Sequence, residues 1–232
     1  MSETRPLARE DITLGARLVR AMREAILDGT LAPGENLSER RLLQMFGVSR
    51  GLVREAIKAL AAEELITLVP HRGPTVSRLD RHAARELYRV RAALEGLACA
   101  DFTRNADTQH HAELQRINTR LHELPENAAS DELISVKNEF YRCLMNGARN
   151  RVLAQMFTQL NNRITQLRRF TLSRPGRLTT TRAEINAIVT AIAQGDADEA
   201  RHLAEAHVAS AASAADARFD EIENVNTDAK GT

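Results

Sequence analysis

The stretch Ser38–Leu60, SERRLLQMFGVSRGLVREAIKAL, decides how the first third of this chain folds. Ser38 and Ser49 each precede a run with helical spacing, and a serine hydroxyl in that place caps a helix by accepting one of its orphan backbone N–H groups. Between the runs stands Gly47-Val48, room only for a tight turn. In the first run Leu42, Leu43 and Phe46 are expected to face inward. In the second, Val53, Ala56, Ile57 and Leu60 recur at i, i+3, i+4 and i+7 and form a buried stripe. Arg50, Arg54 and Lys58 recur at i, i+4 and i+8, so they stack into a basic ridge on another face. Residues 40–58 carry five basic side chains (Arg40, Arg41, Arg50, Arg54, Lys58) against one acidic residue, Glu55.

Working outward, Leu14, Leu18, Met22, Ala25 and Ile26 mark an earlier helix that Gly29 ends, and Leu31-Ala32-Pro33-Gly34 reads as a turn. After the basic helix, Leu65–Val69 reads as a strand, His71-Arg72-Gly73-Pro74 as a turn and Thr75-Val76-Ser77 as a returning strand. A short helix, a tight turn and a basic second helix form a helix-turn-helix, and the hairpin adds a wing. The second helix suits the major groove, where arginine forks onto the O6 and N7 of guanine. Arg72 at the wing tip can reach a phosphate or the minor groove, and Gly73 lets the backbone approach closely. A basic ridge alone is more often a solvated face; ridge, caps, turn and wing in this order argue for DNA.

The 232-residue chain has a formal net charge of +1, so DNA-binding charge must be concentrated locally. The opening MSETRPLARED has no apolar core and is not expected to be a signal peptide. No stretch approaches the ~18 uncharged apolar residues of a membrane helix, and a cytoplasmic location is expected. Cys99 and Cys143 sit among apolar neighbours and read as buried thiols. All but two of the prolines precede residue 80, after which the chain is rich in Ala, Leu and Arg with helical periodicity. This places a boundary at Ser77–Arg81, with a winged helix-turn-helix over 10–79 and a helical domain over 80–222. The helical domain is expected to have six helices, near 81–104, 107–123, 130–147, 150–172, 178–194 and 197–219, with Asp196 capping the last and a frayed end from about Asn224. The fold class is thus mostly α, a winged helix-turn-helix followed by an all-α six-helix bundle.

The segments Gly29–Glu39, Phe46-Gly47-Val48-Ser49-Arg50 and Val53-Arg54-Glu55-Ala56, then Leu60 and Gly73, resemble the GntR family of winged-helix regulators over about residues 14–79. The resemblance implies that Arg40, Arg50 and Arg54 contact DNA and that Gly73 sits at the wing tip; together with the ridge and the wing, the expected DNA surface is Arg40, Ser49, Arg50, Gly51, Arg54, Lys58, Arg72 and Gly73. Gly51-Leu52 stands where that family usually has Thr-Pro, which removes a hydroxyl and implies an altered operator preference. Leu87–Glu95 and Ala191–Ala200 resemble the first helix and the approach to the last helix of the FCD (FadR-like) class. Many FCD domains hold a divalent metal with one Asp or Asn and three His. Here Lys137 stands at the acidic position, Tyr141 and Ile185 stand at two of the histidines, and His207 remains. An ammonium has no lone pair to give a dication, so no metal and no other cofactor is expected.

On the helical wheel Lys137 falls inside the apolar arc of Leu133, Val136, Phe140 and Leu144, and Arg91 falls between Ala98 and Phe102. A buried cation needs a partner. Arg91 could pair with Glu95, Lys137 could snorkel to the surface and His207 could be a satisfied core histidine; alternatively, both cations could face a small organic anion such as a carboxylate, with Tyr141 and His207 beside them. His110, His111 and His202 read as surface residues. The expected function is a homodimeric regulator, a repressor on a palindromic double-stranded operator, whose affinity a carboxylate effector modulates. An architectural DNA-binding dimer with no effector is the alternative. Enzymatic chemistry would have to run through a desolvated Lys137, because no nucleophile and base set is present.

Overall fold

The computed structural model describes residues 13–78, 80–172 and 176–228. The chain divides between Arg78 and Leu79 into two compact units, each with its own hydrophobic core. The expected limits at residues 10 and 79 lie outside the described residues.

In the first unit α1 (Leu14–Leu27), α2 (Glu39–Phe46) and α3 (Arg50–Ala62) are followed by the antiparallel strands β1 (Ile66–Val69) and β2 (Gly73–Val76). The register pairs Ile66 with Val76 and Val69 with Gly73. Ser38 and Ser49 both act as N-caps, accepting from Arg41 N at 3.3 Å and from Leu52 N at 3.5 Å. Gly47 closes α2 at φ +64°, a left-handed conformation that side chains resist. Val53, Ala56, Ile57 and Leu60 are buried against Leu18, Met22 and Ile26 of α1. Leu42 is buried as expected, whereas Leu43 and Phe46 are only partly buried, because α2 is a short helix at the edge of this core.

The second unit comprises α4 (Arg81–Asn105), α5 (Thr108–Glu123), α6 (Ser130–Gly147), α7 (Arg151–Leu172), α8 (Arg177–Ala193) and α9 (Ala197–Asp228). Asp80, Asp107 and Asp196 cap α4, α5 and α9, accepting from backbone N–H groups at 2.7, 3.0 and 3.0 Å. The most extensive packing is α4 on α9. Small residues permit it: Ala98, Ala200 and Ala204 are buried, and Gly96 lies so close to Glu205 that a Cβ there would stand 2.8 Å from its carboxylate. α9 runs nine residues past the expected end at 219. Arg81 bonds Asp220 at 2.7 Å and Arg85 bonds Asp216 at 2.9 Å, so the polar end is held as helix against the first turns of α4.

α6 ends on Gly147, where nothing larger than glycine fits. A Cβ at that position would stand 2.3 Å from the ring of Phe102, which is itself fully buried. We expect Gly147→Ala to cost about 1–3 kcal/mol through overpacking, measured as a lower urea midpoint for loss of helical circular dichroism.

Candidate DNA interface and buried polar cluster

The residues expected to meet DNA are on the surface of the first unit. Arg40, Ser49, Arg50, Gly51, Arg54, Lys58, Arg72 and Gly73 are all exposed. Arg54 donates from Nε to Glu39 at 2.6 Å, which ties the ridge of α3 to the first residue of α2 and brings it beside Arg40. That bond, reinforced by the Glu39 charge, raises the Arg54 pKa. Lys58 donates to Glu55 at 2.9 Å, one turn away on its own helix. Ser49 Oγ is engaged as the N-cap of α3. A Cβ at Gly51 would meet nothing, so packing does not impose the glycine.

The wing is braced by a segment that the sequence pattern left as a turn. Gly34 N and Leu37 N donate to Val76 O and Pro74 O, each at 2.8 Å, and Val76 N donates to Glu35 O at 2.9 Å. The Asn36 side chain donates to the Arg72 carbonyl. Arg72 is therefore carried on a turn fixed from behind, with His71 at φ +62° and Gly73 at φ +78°.

Inside the helical unit a polar cluster is shut away from water. Arg91, Glu95, Tyr141, Lys137 and His207 are 1–2% exposed. The expected i, i+4 partner of Arg91 is present: its Nε donates to Glu95 at 2.6 Å. Its Nη2 donates to the Tyr141 hydroxyl at 3.0 Å, and its guanidinium stacks 5.8 Å from the centroids of both Tyr88 and Tyr141. Burial works against the charged form, yet the charge of Glu95 and the field of the tyrosines overcome it and raise the Arg91 pKa.

Lys137 does not snorkel. Its Nζ lies 3.4 Å from His207 Nε2, and His207 Nδ1 lies 2.6 Å from Glu184 Oε2. On the far side of Glu184, Arg177 donates twice to the carboxylate at 3.3 and 3.2 Å and once to Ser210 Oγ at 2.9 Å. Thr181, one turn from Arg177, is fully buried with a hydroxyl that meets no hydrogen-bond partner among the described residues. Burial and the Lys137 charge push His207 down to about 4 against the hydrogen bond to Glu184, so the imidazole is neutral near pH 7. Burial pushes Glu184 up, but hydrogen bonds from His207 and Ser210 and the charge of Arg177 outweigh it and hold the carboxyl at about 2.

The sequence placed Arg91, Lys137, Tyr141 and His207 in the bundle and offered Glu95 as a partner for Arg91, but gave no partner for Lys137 or His207. Glu184, Arg177 and Ser210 were missed as site residues. Their signal was weak: Arg177 and Glu184 lie seven residues apart on one helix face, readable only once His207 is known to face them. His202 is exposed, but His110 and His111 are a correction. Both are partly buried edge-on against Phe102, at 6.5 and 5.2 Å, and His110 also bonds Asp107 at 2.7 Å.

The family model for bacterial regulatory proteins of the gntR family matches residues 14–76, and the FCD domain model matches residues 86–210, more than half of the chain. The chain belongs to the GntR family, FCD class. It is a DNA-binding transcription regulator of that type. The transcriptional regulator YdhC of Bacillus subtilis is 28% identical over 144 residues, 62% of this chain and 64% of that protein. McbR of Escherichia coli is 26% identical over 149 residues, 64% and 67%. The repressor RspR of E. coli is 30% identical over 131 residues, 55% and 56%. The matches to YdhC and RspR thus span less than two thirds of those relatives' length. Among solved structures, E. coli McbR/YncC superposes with a TM-score of 0.77 at 22% identity, covering 90% of this chain and all of that one. A GntR regulator from Rhodococcus sp. RHA1 gives 0.71 at 22% identity, over 86% and 95%. No helix among the described residues is long and apolar enough to cross a membrane.

The metal site of this class does not fit the residues present. Lys137 offers an ammonium, the Tyr141 hydroxyl is bonded to Arg91, and Ile185, fully buried, offers no donor atom.

The pKa values of the cluster predict how its stability responds to acid. An unfolded chain takes up a proton on His207 near 6.5 and on Glu184 near 4.5, whereas the folded chain resists until about 4 and about 2. Folding stability is therefore fully present above pH 6.5, falls as pH drops toward 4 on account of His207, and falls further toward 2 on account of Glu184. Urea midpoints at pH 7 and pH 5 should show the first decline, and His207→Gln should flatten it.

Proposed function

We propose that this chain is a homodimeric, cytoplasmic repressor that binds a palindromic operator and whose operator affinity changes when a small carboxylate binds in the helical unit. The observation that carries the effector reading is the buried set Arg91, Lys137, Tyr141 and His207, contributed by α4, α6 and α9. Three of these are hydrogen-bond donors held out of water, the arrangement that recognises a carboxylate with high selectivity. The name of RspR as a repressor supports the sign of regulation. A dimer suits an inverted-repeat operator, because each winged helix then reads one half-site. For the effector to act, it must bind the DNA-competent and DNA-incompetent arrangements with different affinity.

The alternative is an architectural dimer with no effector. One observation favours it: Arg91 is already satisfied by Glu95 and Tyr141. A thermal-shift screen of small carboxylates and sugar acids separates the two. A stabilising compound whose effect is lost in Lys137→Met, and which releases the protein from a selected operator, establishes the effector reading. No shift from any compound, with DNA binding intact, establishes the architectural one.

The DNA surface has its own test. On an operator selected from random DNA, Arg54→Ala should weaken binding roughly five- to 150-fold and relax specificity at one base pair. Lys58→Ala should instead weaken binding to all sequences alike and lower the salt slope by about one. Full affinity in Arg54→Ala would remove α3 as the reading helix.

A further inference from the structure

We infer that Lys137 is a tethered cation standing where a metal ion would sit, so that Glu184, His207 and Lys137 form a carboxylate–histidine–cation triad with an ammonium in place of the metal. A metal-binding histidine has a recognisable surrounding: one ring nitrogen faces the cation through its lone pair, and the other donates its N–H to a carboxylate that fixes the tautomer and orients the ring. His207 has both halves of that arrangement. Its Nδ1 is 2.6 Å from Glu184 Oε2, and its Nε2 faces the Lys137 ammonium at 3.4 Å. An ionised carboxylate can only accept, so Nδ1 carries the proton and Nε2 presents its lone pair to a group that can only donate.

The carboxylate is itself held in place. Arg177 clamps both oxygens of Glu184 and reaches Ser210, which holds the carboxylate at a fixed angle to the ring. A histidine serving only as core filling needs no oriented carboxylate with an arginine behind it. The charge of the site comes from α6, where the lysine is 2% exposed on a helix whose neighbouring inward residues are Val136, Phe140 and Leu144. A covalently held cation cannot be exchanged or removed by a chelator, so the positive charge facing His207 is permanent. This inference concerns what holds the cluster together and stands whether or not an effector binds there.

Three measurements test it on the full chain. In protein labelled with 15N-histidine, His207 should show Nδ1 protonated and Nε2 as an acceptor at pH 7, and Lys137→Met should move the Nε2 resonance while leaving Nδ1 protonated. The opposite tautomer would overturn the triad. Wild-type protein dialysed against Zn2+ or Ni2+ should retain well under one equivalent, with a melting temperature indifferent to EDTA. Retention of one equivalent that His207→Gln abolishes would overturn the inference, since Lys137 would then not occupy the cation position.

Finally, Lys137→Asp combined with Tyr141→His and Ile185→His should take up about one equivalent of Zn2+ and gain a melting shift that EDTA reverses. Adding Glu184→Gln to that variant should weaken zinc binding about 10- to 100-fold. A combined variant that is folded by circular dichroism and takes no metal would overturn the placement of Lys137. If it does not fold, the tautomer and the wild-type metal content decide alone.

Discussion

An ionised side chain taken out of water loses several kcal/mol of hydration, and only a well-placed partner restores it. The helical unit takes Arg91, Glu95 and Lys137 to 2% exposure or less, so the geometry of four helices is subject to that requirement. Arg91 and Glu95 lie on α4, Tyr141 and Lys137 on α6, Glu184 on α8 and His207 on α9. The Arg91–Glu95 bond lies within α4, but Arg91–Tyr141, Lys137–His207 and Glu184–His207 join α4 to α6, α6 to α9 and α8 to α9, so satisfying the cluster also fixes these helices relative to one another. The charges of Arg91 and Glu95 act on His207 too, so the two arms form one electrostatic unit. Apolar packing makes the bundle compact, but it tolerates sliding; a hydrogen bond of 2.6 Å does not.

The close contact of α4 with α9 makes this possible. Ala200, Ala204 and Gly96 bring the two helix backbones together, and His207, one turn beyond Ala204, is carried inward on the same face. A bulkier stripe on α9 would hold the helices apart and leave His207 short of Lys137. The ion pairs from Arg81 and Arg85 to the end of α9 extend the contact, yet each has one exposed partner open to water and contributes little by itself.

The sequence was most informative where one helix carried the whole signal. The spacing of Val53, Ala56, Ile57 and Leu60 identified the buried face of α3, and Ser38 and Ser49 marked the helix starts because capping is a local interaction. The inward placement of Lys137 was also readable, from the apolar residues on either side of it. What could not be read was pairing across elements. Glu184 is 23 residues from His207 and 47 from Lys137, and periodicity within one helix says nothing of which residue faces it. The brace behind the wing was missed for the same reason. Leu31–Gly34 has the composition of a turn, and nothing local announces that Gly34, Glu35 and Leu37 pair with β2. The end of α9 was misplaced because its polar residues are held by arginines at the other end of the unit's sequence.

Each unit contains an arginine held by a glutamate, and the difference in exposure assigns them opposite roles. The Arg54–Glu39 bond is at the surface, with Arg54 about two-thirds exposed. Water competes with it, so the glutamate holds the guanidinium ready without binding it strongly, and a guanine edge or a phosphate can take its place. Arg91–Glu95 is 1–2% exposed, and removing either partner leaves a bare charge in the core at a cost of about 3–5 kcal/mol. No incoming ligand displaces Glu95 at that cost. Arg91 is therefore a fixed wall of the cluster, and any anion that enters must be received on the side where Lys137 meets His207. There the Lys137 ammonium stands 3.4 Å from a neutral ring nitrogen, a longer contact than the 2.6 Å bond between Arg91 and Glu95.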